Sequence, residues 1–339
     1  MPEVVPLPPV REVAAGTWSI PVALPGNPLH YVIVHALETD DGIVLIDAGW
    51  DSDDSWDALI EGLGALCASV ADVTGVLVTH IHPDHYGLAP RVRRASGAWV
   101  SLHPADLTMI LRSDAEVDGW LAETGRWLRR AGAPLDALAV LGGDLEEVRR
   151  ILLTEPPDLL VEHGDVPPVK GRSLVAVHTP GHTDGHLCFH EPARGLLYAG
   201  DHVLPRISPN VSSMSSSLDD PLGAFIGSLL SVRDLPCDLV LPAHVGVFAG
   251  LAGRVDELLE HHDERLRDIA ASVRGGAETV WEIAAEHPWK RGWAGLTPAM
   301  RRAALGETEA HLLRLQAQGV VCSAPAYGDD PVRWTVKPD

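Results

Sequence analysis

Thr79-His80-Ile81-His82-Pro83-Asp84-His85 is the stretch on which the reading of this chain turns. It continues Val73–Thr79, a short β-branched, apolar run that reads as a buried strand. In extended backbone alternate residues point the same way, so His80 and His82 can aim two imidazoles at one point. The chain must turn after Pro83, which lets Asp84 and His85 face a second point beside the first. Packing gives no reason for such a density of nitrogen and oxygen donors at the end of a buried strand. Imidazole and carboxylate are the ligands that zinc prefers, and this loop alone supplies four of them.

Further donors recur downstream, each after a predicted strand. Thr179-Pro180-Gly181-His182-Thr183-Asp184-Gly185-His186 follows a strand ending near His178. Ala199-Gly200-Asp201-His202 follows one ending near Tyr198, and Pro242-Ala243-His244 follows Leu239–Leu241. Gly181 and Gly200 allow sharp turns that point the next side chain inward.

In this order, His-x-His-x-Asp-His, Gly-His-Thr, Gly-Asp and Ala-His, the chain resembles the metallo-β-lactamase superfamily over roughly residues 17–250. The resemblance implies a four-layer αββα sandwich. It implies one divalent ion on His80, His82 and His182, a second on Asp84, His85 and His244, and Asp201 bridging the two. Asp84 is also the candidate catalytic carboxylate. Asp47, in Ile46-Asp47-Ala48-Gly49, matches the family's strand-end aspartate, which supports a ligand from behind. The expected ions are two zincs, although histidine and carboxylate also accept manganese or iron. His163, His103 and His178 are read as structural. His186 and His202, close to ligands in the chain, are read the same way, with substrate contact as the alternative.

Outward from these motifs, Tyr31–Leu37 and Ile43–Asp47 read as strands around an Asp40-Asp41-Gly42 turn, and residues 52–70 as a helix with Trp56, Leu59, Ile60 and Leu63 on one face. Residues 1–16 are proline-rich and loosely attached. Residues 104–162 break the strand rhythm and read as a helical insert punctuated by Gly119, Pro134 and Gly142-Gly143. Its tryptophans, Trp120 and Trp127, are either core or the aromatic part of a lid. A Ser-rich loop spans 208–218, followed by a helix from about Pro221 to Arg233. The domain division is 1–252 for the catalytic unit and 253–339 for a linker helix and a C-terminal unit. Helices at Val255–Ser272, Thr279–Ile283, Thr297–Ala304 and Thr308–Gln318 and a hairpin around Gly328-Asp329-Asp330 describe a winged helix. That tract is similar to the one that follows the catalytic domain in a β-lactamase-like hydrolase subfamily.

A formal charge of −21, from 26 basic and 47 acidic residues, disfavours a nucleic-acid partner. The would-be recognition helix carries Glu307 and Glu309 against Arg314, the wrong sign for a DNA reader. Its expected role is to close the pocket or to form a homodimer. Four scattered cysteines and no apolar run of spanning length point to reduced, buried thiols in a cytoplasmic protein that enters no membrane. The N-terminus carries no secretory signal pattern.

The ligand set implies a two-metal-activated hydroxide acting on an electrophilic centre of a small molecule. His85 stands where the true β-lactamases of the family carry another residue, so antibiotic hydrolysis is not expected. The expected bond is an ester, thioester or lactone of a fairly apolar substrate. The alternatives are a phosphodiesterase or ribonuclease-type phosphoester hydrolase and an iron-dependent persulfide dioxygenase.

Overall fold

A computed structural model describes residues 6–141, 145–214, 216–324, 328 and 330–338. Gly142-Gly143, Asp329 and the first five residues, all used above as sequence signals, lie outside the described residues.

The first sheet is seven-stranded. Its strands are β1 (Arg11–Ala14), β2 (Thr17–Ala23), β3 (Tyr31–Thr39), β4 (Gly42–Ile46), β5 (Val73–Leu77), β6 (Trp99–Leu102) and β7 (Leu159–Leu160), in that spatial order. β1 to β4 pair antiparallel and β4 to β7 parallel. The crossovers between parallel strands carry α1 (Asp53–Ala65), the short α2 (Pro83–Tyr86) and α3 (Ala89–Ser96). Ser52 caps α1 by accepting from the Ser55 amide at 3.2 Å. Between β6 and β7 lies the insert: a 3-10 turn at Pro104–Met109, then α4 (Asp114–Arg130), α5 (Leu135–Leu141) and α6 (Leu145–Leu152). The second sheet holds β8 (Val175–His178), β9 (Leu187–Glu191), β10 (Leu196–Gly200) and β11 (Leu239–Pro242) in the order β11-β10-β9-β8. The helix α7 (Pro221–Val232) joins β10 to β11.

Period-two alternation places each strand's apolar residues on two faces, and both faces are covered. In β4, Ile43 and Leu45 face α1 and α3, while Val44 and Ile46 face the other sheet. In β10, Leu196 and Tyr198 meet that inter-sheet layer, while Leu197 and Ala199 pack outward with Phe225 and Leu229 of α7. Three buried clusters therefore fill the three interfaces of an αββα sandwich, the architecture expected from the sequence. Between the sheets, Arg172 pairs with Glu191 through Nε to Oε1 (3.0 Å) and Nη2 to Oε2 (2.5 Å), and Nη2 also donates to Thr17 and Tyr198. Both side chains are buried.

The C-terminal tract forms α8 (Leu251–Gly275), α9 (Val280–Glu286), α10 (Pro298–Ala317) and an antiparallel pair, β12 (Val321–Ala324) with β13 (Arg333–Val336). Val255, Ile269, Leu305 and Leu312 share one buried cluster with Val177, Leu197 and Phe225. Two helices expected at 297–304 and 308–318 are one. Gly306, inside that helix, is a point of close approach, because a Cβ there would lie 2.0 Å from Ser212 Oγ. Trp127 of the insert packs against this same cluster. The four thiols are free, but only Cys188 is buried and Cys67 is exposed, so burial of all four does not hold. Among the described residues no helix is long and apolar enough to cross a membrane.

Candidate metal centre

The site lies where β4, β5, β8, β10 and β11 end. β4 delivers Asp47 with φ +62°, a left-handed backbone that is uncommon outside glycine. β5 runs into His80 and His82. Pro83, at the first position of α2, turns the chain so that Asp84 and His85 face a point beside that pair. The β8–β9 loop brings His182, the end of β10 brings Asp201, and the end of β11 brings His244. Val245, just after it, has φ +74°.

Gly181 has φ +133°, and a Cβ there would sit 2.4 Å from Phe225 Cβ and 2.5 Å from its Cα. Gly181→Ala is expected to cost roughly 1–3 kcal/mol or more by overpacking and to displace His182. Denaturant midpoint and bound-metal content check both effects.

All seven predicted ligands converge. His80 Nε2 lies 2.9 Å from His82 Nδ1 and 3.2 Å from His182 Nε2. Beside them, Asp84, His85 and His244 form a second group, with His244 Nε2 at 3.4 Å from Asp84 Oδ2. Asp201 sits between the groups. Its Oδ2 is 3.6 Å from His182 Nε2 and 3.7 Å from His85 Nε2, and its Oδ1 is 3.4 Å from His244 Nε2.

The rings are held from behind. Asp47 Oδ2 takes His85 Nδ1–H at 2.8 Å and the Thr79 hydroxyl at 2.9 Å, and that hydroxyl is 3.0 Å from His80 Nδ1. The Asn210 carbonyl lies 2.6 Å from His182 Nδ1, and the Tyr31 carbonyl 3.4 Å from His244 Nδ1. Each contact leaves the ring's Nε2 facing the centre.

Charge divides the site. Burial first, then neighbouring imidazoles, holds His80 well below its ordinary pKa and His82 at about 3, and burial also lowers His182. These three are neutral lone-pair donors. Burial also opposes a charge on His85 and His244, but it is outweighed. Asp47, Asp84 and Asp201 hold His85 well above the ordinary value, and Asp201 with Asp84 raises His244 to about 10. Burial likewise pushes Asp84 up, but His85 and His244 outweigh it and keep the carboxylate ionised.

Do these residues fit metal ions? His85 Nε2 and Asp201 Oδ1 are buried with no hydrogen-bond partner. Their separations from neighbouring donors, 3.4–3.8 Å, are too long for hydrogen bonds. They suit ligands about 2.1 Å from a shared tetrahedral ion, which stand roughly 3.4 Å apart. Three sets can hold an ion: His80/His82/His182, His80/His85/Asp201 and Asp84/His85/His244.

Protons on His85 and His244 stand in for that charge when no ion is bound. Adding a divalent ion to ion-free protein at pH 8 is therefore expected to release about two protons per chain. Calorimetry in buffers of different ionisation enthalpy measures the release. Because the folded-state His244 pKa is raised, its contribution to ion-free stability is full below the unfolded value, about 6.5. It is lost as pH rises through about 10. Flat ion-free stability from pH 7 to 10 would contradict this.

Asp106 escaped the sequence reading as a site residue, whereas the flanking histidines hold the structural positions expected of them. Asp106 accepts from the Ile81 amide (2.9 Å), Thr183 Oγ1 (3.0 Å) and the Gly185 amide (2.7 Å), tying the first ligand loop to the His182 loop. Burial raises its pKa to about 6. His186 accepts from the Asp201 amide at 3.1 Å and contacts Thr179 Oγ1 at 2.8 Å, so it sets the backbone of Asp201. His202 is buried against Phe225 and His186. His103 stacks on His178 with centroids 4.1 Å apart.

A cavity of about 180 Å³ opens beside His82 and His182. Its walls include Ile81, Met109 and Met214, and α10 adds Ala299, Arg302 and Ala303. The insert contributes only its opening 3-10 turn, and neither Trp120 nor Trp127 lines the cavity.

Comparison with known proteins agrees with this geometry. The sequence profile of the metallo-β-lactamase superfamily matches residues 25–244. Lactamase-like protein adaB of Aspergillus niger is 26% identical over 275 residues, covering 79% of this chain and 68% of its own length. The crystal structure of a metallo-β-lactamase family protein from Thermus thermophilus superposes with a TM-score of 0.81 at 28% identity, over 96% of this chain and 100% of that one. A β-lactamase domain protein from Burkholderia ambifaria gives 0.79 at 25% identity, over 96% and 94%. With its fold, its His/Asp cluster and these relatives, the chain belongs to the metallo-β-lactamase superfamily, whose members are generally hydrolytic enzymes.

Proposed function

We propose that this protein is a dinuclear metallohydrolase that cleaves an ester, thioester or lactone bond in a small, fairly apolar substrate. The observation that carries the reading is the seven-residue His/Asp cluster, with buried unpartnered atoms on His85 and Asp201, opening onto a cavity with apolar walls. His80, His82 and His182 would hold one ion and Asp84, His85 and His244 the other, with Asp201 between them. Bound divalent ions, zinc in this reading, supply Lewis acidity and a water acidic enough to ionise near neutral pH. Asp47 and the Asn210 carbonyl keep His85 and His182 in the tautomers that leave Nε2 free. Asp84, partly exposed at the edge of the cluster, is the carboxylate placed to accept a proton from an entering nucleophile.

The cavity is smaller than the roughly 300–1,000 Å³ of typical ligand pockets, which suits an acyl portion inside and a leaving group outside. Asp106 and Asp184 also line it, with their oxygens committed to protein donors. Two carboxylates set against Arg302 leave this otherwise apolar wall net acidic, which favours an acyl substrate over a phosphodiester. We assign α9, α10 and the β12–β13 hairpin to a winged-helix unit that serves the pocket. Glu307 turns inward to Arg265 (3.3 Å) and Glu309 to Trp127 and Ser213, so neither is presented to a nucleic acid.

The test is turnover of aryl esters, acyl-thioesters and lactones by zinc-loaded protein, with His82→Ala as the control. No turnover above that control, alongside cleavage of bis-aryl phosphates, would replace this reading with the phosphoesterase one. Iron as the bound metal, with oxygen uptake on a persulfide, would replace it with the dioxygenase.

A further inference from the structure

The Ser-rich loop, described at 208–214 and 216–218, is more than a pocket edge. Near its start, the Asn210 carbonyl lies 2.6 Å from His182 Nδ1. At its far end, Ser216 and Ser217 donate to Asp184, two residues beyond His182, at 2.5 and 2.6 Å. Its middle is fastened to α10. The Ser213 amide donates to the Gly306 carbonyl (3.2 Å), and the Ser213 hydroxyl donates to Glu309 Oε2 (2.6 Å). Ser212 fits against Gly306 where a Cβ would collide with it. Glu309 Oε2 also accepts Trp127 Nε1–H at 2.6 Å. One carboxylate oxygen thus joins the insert, the loop and the C-terminal helix, and the loop carries the carbonyl that orients His182.

We propose that Glu309 is a positioning residue for the His80/His82/His182 group: it fixes the loop through Ser213, and the loop fixes the His182 ring through the Asn210 carbonyl. The chemistry is specific. Both donors converge on a single oxygen, so a glutamine, whose carbonyl oxygen has two lone pairs, can replace the carboxylate. An alanine cannot. With the clamp gone, His182 loses the constraint that keeps Nε2 turned toward His80, whereas His85 and His244 are backed by Asp47 and the Tyr31 carbonyl and are untouched. A ligand loosened from behind binds its ion about 10–100-fold more weakly.

This inference rests on the two-ion reading above, and the test separates the two. Ion-free wild type, Glu309→Ala, Glu309→Gln and Ser213→Ala are titrated with cobalt(II), following heat and the visible absorption of the bound ion, and each is melted without metal. The expected result is two ions on the wild type. In Glu309→Ala and Ser213→Ala one of them is weakened by about 10–100-fold and the other is unchanged, and Glu309→Gln is close to wild type. Equal weakening of both ions with a lowered Tm would mean that Glu309 acts only on the fold, and would overturn the assignment. So would unchanged affinities in both Glu309→Ala and Ser213→Ala. A wild type that binds no ion would instead defeat the two-ion reading itself, and this inference with it.

Discussion

Asp201→Ala is expected to lower hydrolysis by about 10³-fold, the scale seen when a preorganised electrostatic group is removed from a reacting centre, and to leave one ion per chain instead of two. The reason is placement. Asp201 is the carboxylate within 3.4–3.7 Å of His85, His182 and His244 together, which suits the bridging role proposed for it. Its removal also deletes a charge that keeps His244 near a pKa of about 10, which lowers the affinity of the second group for any cation. Metal content by elemental analysis and kcat/KM on the best ester substrate measure the two effects. Retention of two tightly held ions in Asp201→Ala would sink the bridging assignment.

The largest expected effect on stability lies away from the site. Arg172→Met is expected to destabilise the fold by about 3 kcal/mol, because it removes the buried partner of the Glu191 carboxylate and leaves it the half-exposed Arg194 at 3.1 Å. Glu191 is almost fully buried, and Arg172 supplies two of its hydrogen bonds while also holding Thr17, Tyr198 and the Gly16 carbonyl. Burial works against the guanidinium's charge, but Glu191 more than compensates and raises its pKa. The pair joins the first sheet to the second, so its loss is felt across the sandwich. The double variant Arg172→Met/Glu191→Leu should recover much of the deficit, since apolar replacement of a whole buried pair is often neutral. Urea denaturation of the ion-free proteins decides it. A single variant as stable as wild type would contradict the argument.

The site and the fold were legible in the sequence to different depths. His80, His82, Asp84 and His85 stand out because four donors crowd one strand end. His182, Asp201 and His244 stand out because each follows a strand. The alternation of Val44 and Ile46 against Ile43 and Leu45 already contains both faces of the first sheet. Asp106 was invisible: an acidic residue opening a helical turn looks like ordinary N-terminal charge placement. Its partners, Ile81, Thr183 and Gly185, lie 25 to 79 residues away in the chain. The continuity of α10 through Gly306 was hidden for a related reason. Glycine marks either a break or a tight contact, and only the neighbour, Ser212, tells which. The tryptophans of the insert could be either core or part of a lid. Trp127 takes the core reading, packing against the buried cluster with its N–H on Glu309.

Val245 sets a limit on how far this protein can be improved. A β-branched residue at φ +74° is held in a conformation that glycine adopts freely. It is pinned there by Tyr31, whose hydroxyl donates to its carbonyl at 3.3 Å and whose own carbonyl backs His244. Relieving the tension with Val245→Gly should make the ion-free chain harder to unfold while letting the His244 ring wander. Sequence change at this corner therefore trades ruggedness against turnover, and selection for heat resistance alone would erode the catalyst.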